Sequence, residues 1–390
     1  MPGTSSALET EWSLLRVACS TAANRDPLAS ACSQLSSPAR WQSLFDRAEH
    51  HGVLPLLCQA LSRAEDLVPP EQMCALKQSH QTNLHKALFL SREFIRIIDH
   101  LSSQGIEIIP YKGLALAETL YGDIALRQSG DIDLLIRASE LARIQHAVRE
   151  LEYVPHAPLS EPQQRAYMKS GYECAFDGAA GRNLLEVQWD IQPRFFSVNF
   201  DMEGLFRRAV TVSVAGRAVK APSNEDLFIV LALHAAKHVW GRLIWLSDLA
   251  RISSLPLNWA WIGRQAWELG IVRILRVTLL LVMNLFETPV PSEAEANLPA
   301  DPDAFALAEE IESRLASNTI YNAESRAYFR FMLRLRERRT DQMRFLSRLI
   351  LTPGPGEWAA VRLPEPLFPL YRPVRLARLV AKIARPSRSR

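Results

Sequence analysis

The stretch "IEIIPYKGLALAETLYGDIALRQSGDIDLLI", Ile106 to Ile136, decides how the chain is read. It opens as a short β-rich run, turns at Lys112-Gly113, continues as a helix over about Leu114 to Tyr121, and passes through the loop "GDIALRQSG" into a second extended run, "DIDLLIR". Side chains on a strand alternate between faces, so Asp131 and Asp133 point one way while Ile132 and Leu134 point into a core. Two carboxylates on one face repel each other, and a bridging cation relieves that repulsion. Hard divalent ions such as Mg²⁺ take carboxylate oxygens together with substrate phosphates.

The pattern recurs downstream. In "LLEVQWDI", Leu184 to Ile191, Glu186, Gln188 and Asp190 share one face and Leu185, Val187 and Trp189 the other. If this strand lies beside "DIDLLI", Glu186 completes a carboxylate triad suited to phosphoryl or nucleotidyl transfer. Lys112-Gly113, on a strand-to-helix turn, fits the phosphate side: a glycine lets backbone N–H groups approach an anion, and the lysine adds charge. An aspartate pair on a solvent-facing strand edge is the plainer alternative.

The rest of the chain frames this core. Residues 1–103 read as a helical region, with apolar residues at helical spacing in "RWQSLFDRAEHHGVLPLLCQALSRA" and in the run from Cys74 to Gly105. Residues 104–222 alternate strands and helices, with a hairpin from "YECAF" through "DGAAGRN" to "LLEVQWDI" and a second from "VTVSV" through "AGR" to "AVKAP". Residues 223–351 return to helix, opening on Ser223 with Asp226 three places on, close to a capping box. Helices are expected at about 258–285, 301–315 and 322–350, and residues 352–390 form a proline- and arginine-rich basic tail. The fold class expected is α+β, a small mixed sheet of four or five strands flanked by N-terminal and C-terminal helical regions.

Within this stretch, "YKGLALAETLYGDIALRQSGDIDLLI", Tyr111 to Ile136, resembles the signature of the uncharacterised nucleotidyltransferase family within the polymerase-β-like nucleotidyltransferase superfamily. That signature is a Lys-Gly, a helix ending in Tyr, an Arg, then Gly-Asp-Ile-Asp-Leu-Leu. The likeness extends to "LLEVQWDI", where relatives tend to show Glu-Val-His-Trp, and to "LALHAAKHVWGRLIWLSDLA", covering about residues 80–255. It implies an NTP substrate, ATP first among them, a Mg²⁺ or Mn²⁺ cofactor, and transfer of an NMP group to a hydroxyl or phosphate acceptor with release of pyrophosphate. It also implies Asp131, Asp133 and Glu186 as metal-binding catalytic acids. Lys112, Gly113 and Arg127 fall on the triphosphate side, with Gly130 and Lys237 as further nucleotide contacts. The gap from Gly113 to Asp131 is longer than in the minimal superfamily motif, and two further departures stand out: Lys112-Gly113 replaces the glycine-serine turn usual in the superfamily, and Gln188 stands where a His is common. They motivate an alternative, a catalytically weak nucleotide-binding or interaction module that keeps the fold.

In "HAAKHVWGRLIW", His234 and His238 are spaced i, i+4, with Lys237 between them. The spacing suits a metal, packing against the sheet, or contact with phosphate or acceptor; no HExxH glutamate supports the first. Trp245 and Asp248 read as a core aromatic and a polar partner or cap.

Composition bounds the rest. With 48% hydrophobic and 22% charged residues, the chain is an ordinary globular one, and a net charge of +3 is too weak to imply nucleic acid. The base-reading motifs are absent, so no sequence-specific nucleic-acid partner is expected. Five irregularly spaced cysteines without a CxxC argue for free thiols and a cytoplasmic location. The N-terminus lacks the basic and apolar regions of a signal peptide. The longest apolar run, Val277 to Phe286, falls short of the roughly 20 residues of a membrane span. Within the tail, "RPVRLARLVAKIAR" interleaves apolar residues with Arg375, Arg378, Lys382 and Arg385. Such a helix suits docking onto the protein by its few apolar residues, or weak contact with an anionic membrane surface or a protein partner.

Overall fold

A computed structural model of the chain describes residues 3–20, 25–35, 37–319, 321 and 325–384. Its centre is a five-stranded mixed sheet of β1 (Ile108–Pro110), β2 (Asp131–Ile136), β3 (Val154–Pro155), β4 (Glu173–Asp177) and β5 (Leu184–Gln188). The spatial order is β1-β2-β5-β4-β3. The β2–β5 pair is parallel and the other three pairs are antiparallel. A parallel pair needs a long crossover, supplied here by the helices Leu141–Glu150 and Glu161–Met168 together with β3 and β4. A separate hairpin joins β6 (Val210–Val214) to β7 (Arg217–Ala221). Its turn has positive φ at both Ala215 and Gly216, as a two-residue hairpin turn of matching twist requires.

The alternation in β2 and β5 explains how the sheet is covered. Ile132, Leu134, Ile136, Leu185 and Val187 enter a core with Phe94, Ile97 and Leu101 of the long helix Pro70–Ser103 and with Ile144 and Val148 of the crossover helix. The larger core lies on the other side. It joins Leu14, Trp41 and Leu57 from the N-terminal helices to Phe228, Leu246 and Leu279 from the C-terminal ones, and it also takes in Ile109 and Leu135 of the sheet. The N-terminal and C-terminal helices thus share one interior, and the acid-bearing sheet face looks toward it.

Several helices break where a single run was expected. The stretch 40–64 divides into Pro38–His50 and Leu54–Ser62, with Gly52 at φ +72. The stretch 258–285 divides into Trp259–Leu269 and Val272–Phe286 at Gly270, φ +68. Glycine takes this left-handed conformation without steric cost and ends helices there. The run from Asn224 stops at Lys237, and Val239 and Trp240 both turn left-handed before the helix Leu243–Ser253. Trp240 is fully buried in that turn and donates its indole N–H to Thr278 Oγ1 at 3.1 Å, which holds the unusual backbone in place. The expected helix 322–350 is Arg326–Arg334 followed by Arg339–Leu351, and its first residues, 322–324, lie outside the described residues. Neither β3 nor Glu161–Met168 was expected; in the latter, Gln163 reaches back to the Ser160 N–H at 3.0 Å. Among the described residues no helix is long and apolar enough to cross a membrane.

Candidate active site

Register builds the site. In the parallel pair, Asp131 lies opposite Leu184 and Asp133 opposite Glu186; in the antiparallel pair, Glu173 of β4 lies opposite Gln188. Cross-strand partners share a face, so Asp131, Asp133, Glu186, Gln188 and Glu173 all project to one side. Asp133 is buried, and Asp131 and Glu186 are half-buried. All but Gln188 line a polar cavity of about 550 Å³ between the sheet and the helix Asn224–Lys237. Asp190 does not join them. The strand ends at Gln188, and Asp190 instead accepts from the Ile191 N–H at 2.7 Å.

The turn after β1 closes one side. Lys112 Nζ lies 2.9 Å from Asp133 Oδ1, and both side chains are nearly inaccessible. Gly113 holds φ +53, and a Cβ there would stand 2.9 Å from Ser129 Oγ and 3.2 Å from the Asp131 carbonyl oxygen. Glycine is therefore required on two counts, backbone conformation and space. Ser129 donates to the Asp131 carbonyl at 3.1 Å and so brings a hydroxyl beside the turn that lacks the superfamily's serine. Gln188 ties the acids together. Its amide donates to Glu186 Oε2 at 3.1 Å and to Asp133 Oδ1 at 3.4 Å, while its carbonyl accepts from Tyr111 Oη at 2.5 Å.

Electrostatics follow from this crowding. Burial, then the neighbouring Asp133 charge, pushes Glu186 up to about 8 and Asp131 up to about 6. Burial disfavours the charge on Lys112, yet the Asp133 carboxylate, with Tyr111 and Glu186, holds its pKa well above the ordinary lysine range. Across the cavity, burial and the like charge of Lys112 lower Lys237, which donates to Tyr172 Oη at 2.9 Å. Tyr172 in turn donates to Glu173. Burial and nearby cations also lower both histidines, His238 to about 3 and His234 well below the ordinary imidazole range, so both rings are neutral. They pack on one another at 5.0 Å and on Trp245 at 5.1 and 5.2 Å, forming an aromatic wall of the same cavity.

Arg127 and Gly130 line the cavity too, but the Arg127 guanidinium is engaged elsewhere. Its Nε lies 2.9 and 3.2 Å from the two Asp248 oxygens, and its Nη2 lies 2.8 Å from Oδ2. Tyr121 Oη adds a third donor to Asp248 at 2.8 Å. The tyrosine and arginine of the motif are thereby fastened to the helix Leu243–Ser253. Tyr172, Glu173, Ser129 and the bridging part played by Gln188 were not foreseen from sequence. The "YECAF" hairpin, once its register was fixed, is the signal that would have found Glu173.

The carboxylate chemistry of these donors suits a hard divalent cation. Asp131, Asp133 and Glu186 are among the carboxylates lining one cavity, and burial with mutual repulsion leaves Asp131 and Glu186 reluctant to ionise, a condition that a bound cation reverses. The Lys112 ammonium supplies positive charge at Asp133 in their midst. Among the described residues no group of three or more His, Cys, Asp or Glu side chains is arranged as a metal site.

A family model described as uncharacterised nucleotidyltransferase matches residues 37–287, and the chain belongs to that family; it is a nucleotidyltransferase. No curated protein matches. Among solved structures, the antibiotic-resistance factor ANT(2'')-Ia is similar at 13% identity over 59% of this chain and 95% of its own, with a TM-score of 0.29. That likeness is too slight to carry an argument.

Two outcomes are expected of this geometry. Asp248→Ala strands the buried Arg127 charge and should cost roughly 3–5 kcal/mol of unfolding free energy in urea denaturation; a loss below about 1 kcal/mol contradicts the network. Glu186 has a folded-state pKa above its ordinary value, so the folded protein binds the extra proton and stability falls as pH rises from about 4.5 to about 8. Glu186→Gln should flatten that decline, melting above the parent at pH 8 and converging with it below pH 4.5. Parallel melting curves across the window contradict the assignment.

Proposed function

We propose that the protein moves an NMP group from an NTP, ATP first among them, to an acceptor hydroxyl or phosphate and releases pyrophosphate. The observation that carries this reading is the common face of Asp131, Asp133 and Glu186 beside Lys112 and the Gly113 turn. Asp131, Asp133 and Glu186 would hold Mg²⁺ or Mn²⁺, which when bound neutralises phosphate charge and acidifies the attacking hydroxyl. Lys112, the Gly113 and Gly130 backbone and Lys237 bind and orient the phosphates. Glu186, in its ionised form, helps activate the acceptor hydroxyl. Gln188 keeps Asp133 and Glu186 in register with each other. Arg127 acts at one remove by locking the loop that carries Gly130 and Asp131 to Asp248.

We assign the transfer chemistry to residues 104–222 and the cavity's opposite wall to the helical region 223–351. The described free cysteines, with no disulfide among them, support a reducing, cytoplasmic location. The Lys112–Asp133 ion pair favours one other reading, a nucleotide-binding module in which the lysine permanently occupies an acid.

Transfer of label from α-³²P-NTP, with cell extract as the acceptor source, separates the two. The proposal expects labelled acceptor and pyrophosphate, with both falling roughly 10²-fold or more in Asp131→Ala/Asp133→Ala. Tight nucleotide binding with no pyrophosphate release, unchanged by the double substitution, places the binding module ahead.

A further inference from the structure

A second cavity, of about 450 Å³, adjoins the acid-lined one, and the two share Tyr172, Lys237 and His238. Its near wall is aromatic: Tyr167, Phe195, Tyr328 and Phe329. Its far wall comes from the C-terminal tail, at Thr352–Gly354, Gly356, Glu357 and one face of the helix Tyr371–Ala384. That tail is docked with defined contacts. Tyr371 is buried, donates to the Val361 carbonyl at 3.0 Å and accepts from the Leu363 N–H at 3.1 Å. Trp358 packs edge-on against Tyr167 at 5.7 Å, and Arg375 Nε donates to the Leu349 carbonyl at 2.5 Å. Of the apolar residues of this helix, Leu379 is buried against this wall, while Leu376 and Val380 stay exposed. Arg385 and the residues after it lie outside the described residues.

Cations outnumber carboxylates along this cavity, with Lys237, Arg375 and Arg378 among its lining residues. Glu357 is the one carboxylate among its lining residues. It is already met by Arg378 at 2.8 Å, Arg375 at 3.3 Å and the Gly354 N–H at 2.8 Å. Two guanidiniums face one carboxylate, and the Lys237 ammonium stands where the cavities meet. Aromatic walls receive a flat apolar body and surplus cations receive an anionic group, whereas a polycation is repelled.

We propose that this second cavity is the acceptor subsite and that its ligand has a flat, apolar body with an anionic substituent and a hydroxyl directed toward Lys237. Calling the ligand an acceptor rests on the nucleotidyl-transfer reading; the chemistry of the pocket does not. In the reaction the acceptor oxygen bonds to the α-phosphorus as the bond from phosphorus to the bridging oxygen breaks. Pyrophosphate leaves with that electron pair, and the hydroxyl proton passes to the Glu186 carboxylate. Tyr172, held between Lys237 and Glu173, separates the two compartments and positions the hydroxyl between them.

Anilinonaphthalene sulfonate, a flat aromatic anion, is the probe. With the full chain it should bind saturably at one site, remain bound when ATP and Mg²⁺ are added, and leave the KM for NTP unchanged while inhibiting label transfer. Phe329→Ala and Arg378→Ala should each weaken it by about tenfold or more, with ATP binding and circular dichroism unchanged as folding controls. A flat cationic acridine should bind about tenfold more weakly than the sulfonate. Displacement of the dye by ATP, equal binding of the cationic dye, or indifference to both substitutions overturns the proposal. If the dye behaves as described but no labelled acceptor ever forms, the pocket chemistry stands and its acceptor role falls together with the nucleotidyl-transfer reading.

Discussion

The parallel pairing of β2 with β5 sets Asp133 beside Glu186, and the surrounding structure answers that one unfavourable juxtaposition. Like charges directly across a sheet repel, and here Asp131 stands two residues away on the same face while burial denies all three the screening of water. Lys112 supplies one counter-charge, Gln188 bridges two of the acids, and Tyr111 holds Gln188 in place. What remains uncompensated appears as the raised pKa values of Asp131 and Glu186. A core built for stability alone would carry an apolar residue in place of such a cluster. Its presence at the mouth of a polar cavity is the mark of a site whose charges are completed by a ligand.

The motif around these acids divides into two kinds of residue. Lys112, Gly113, Asp131 and Asp133 face the cavity. Tyr121 and Arg127, equally part of the signature, converge instead on Asp248 and fasten the loop before β2 to the helical body. The distance between the sheet's acids and the wall formed by His234, His238 and Trp245 is therefore set by a buried ion pair. That pair is weak evidence of net stabilisation but strong evidence of a fixed geometry.

Much of this was legible in the sequence because it depends on local alternation. The period-two patterns of "DIDLLI" and "LLEVQWDI" give the faces of both strands, and Lys112-Gly113 marks the turn. Their adjacency, and hence the meeting of Asp133 with Glu186, is a matter of strand register that no local pattern contains. The same limit hid the partner of Arg127, which lies 121 residues away, and the place of Glu173 opposite Gln188. It also hid the polar contacts by which the tail docks. Arg375 looked like part of a solvated basic face, but it is buried because its charge is met by Glu357 and its Nε–H by the Leu349 carbonyl. Helix ends at Gly52 and Gly270 were carried by single glycines inside otherwise continuous apolar periodicity, a weak signal until the positive φ is seen.

The central claim is that Asp131, Asp133 and Glu186 act as one cation-binding face. A crystal structure with Mn²⁺ and a non-hydrolysable NTP analogue tests it most directly. The account predicts anomalous density in contact with carboxylate oxygens of Asp131, Asp133 and Glu186, with the triphosphate extending toward Lys112 and Gly113. Manganese bound elsewhere, or nucleotide bound with no metal at these acids and the Lys112–Asp133 pair intact, would contradict it.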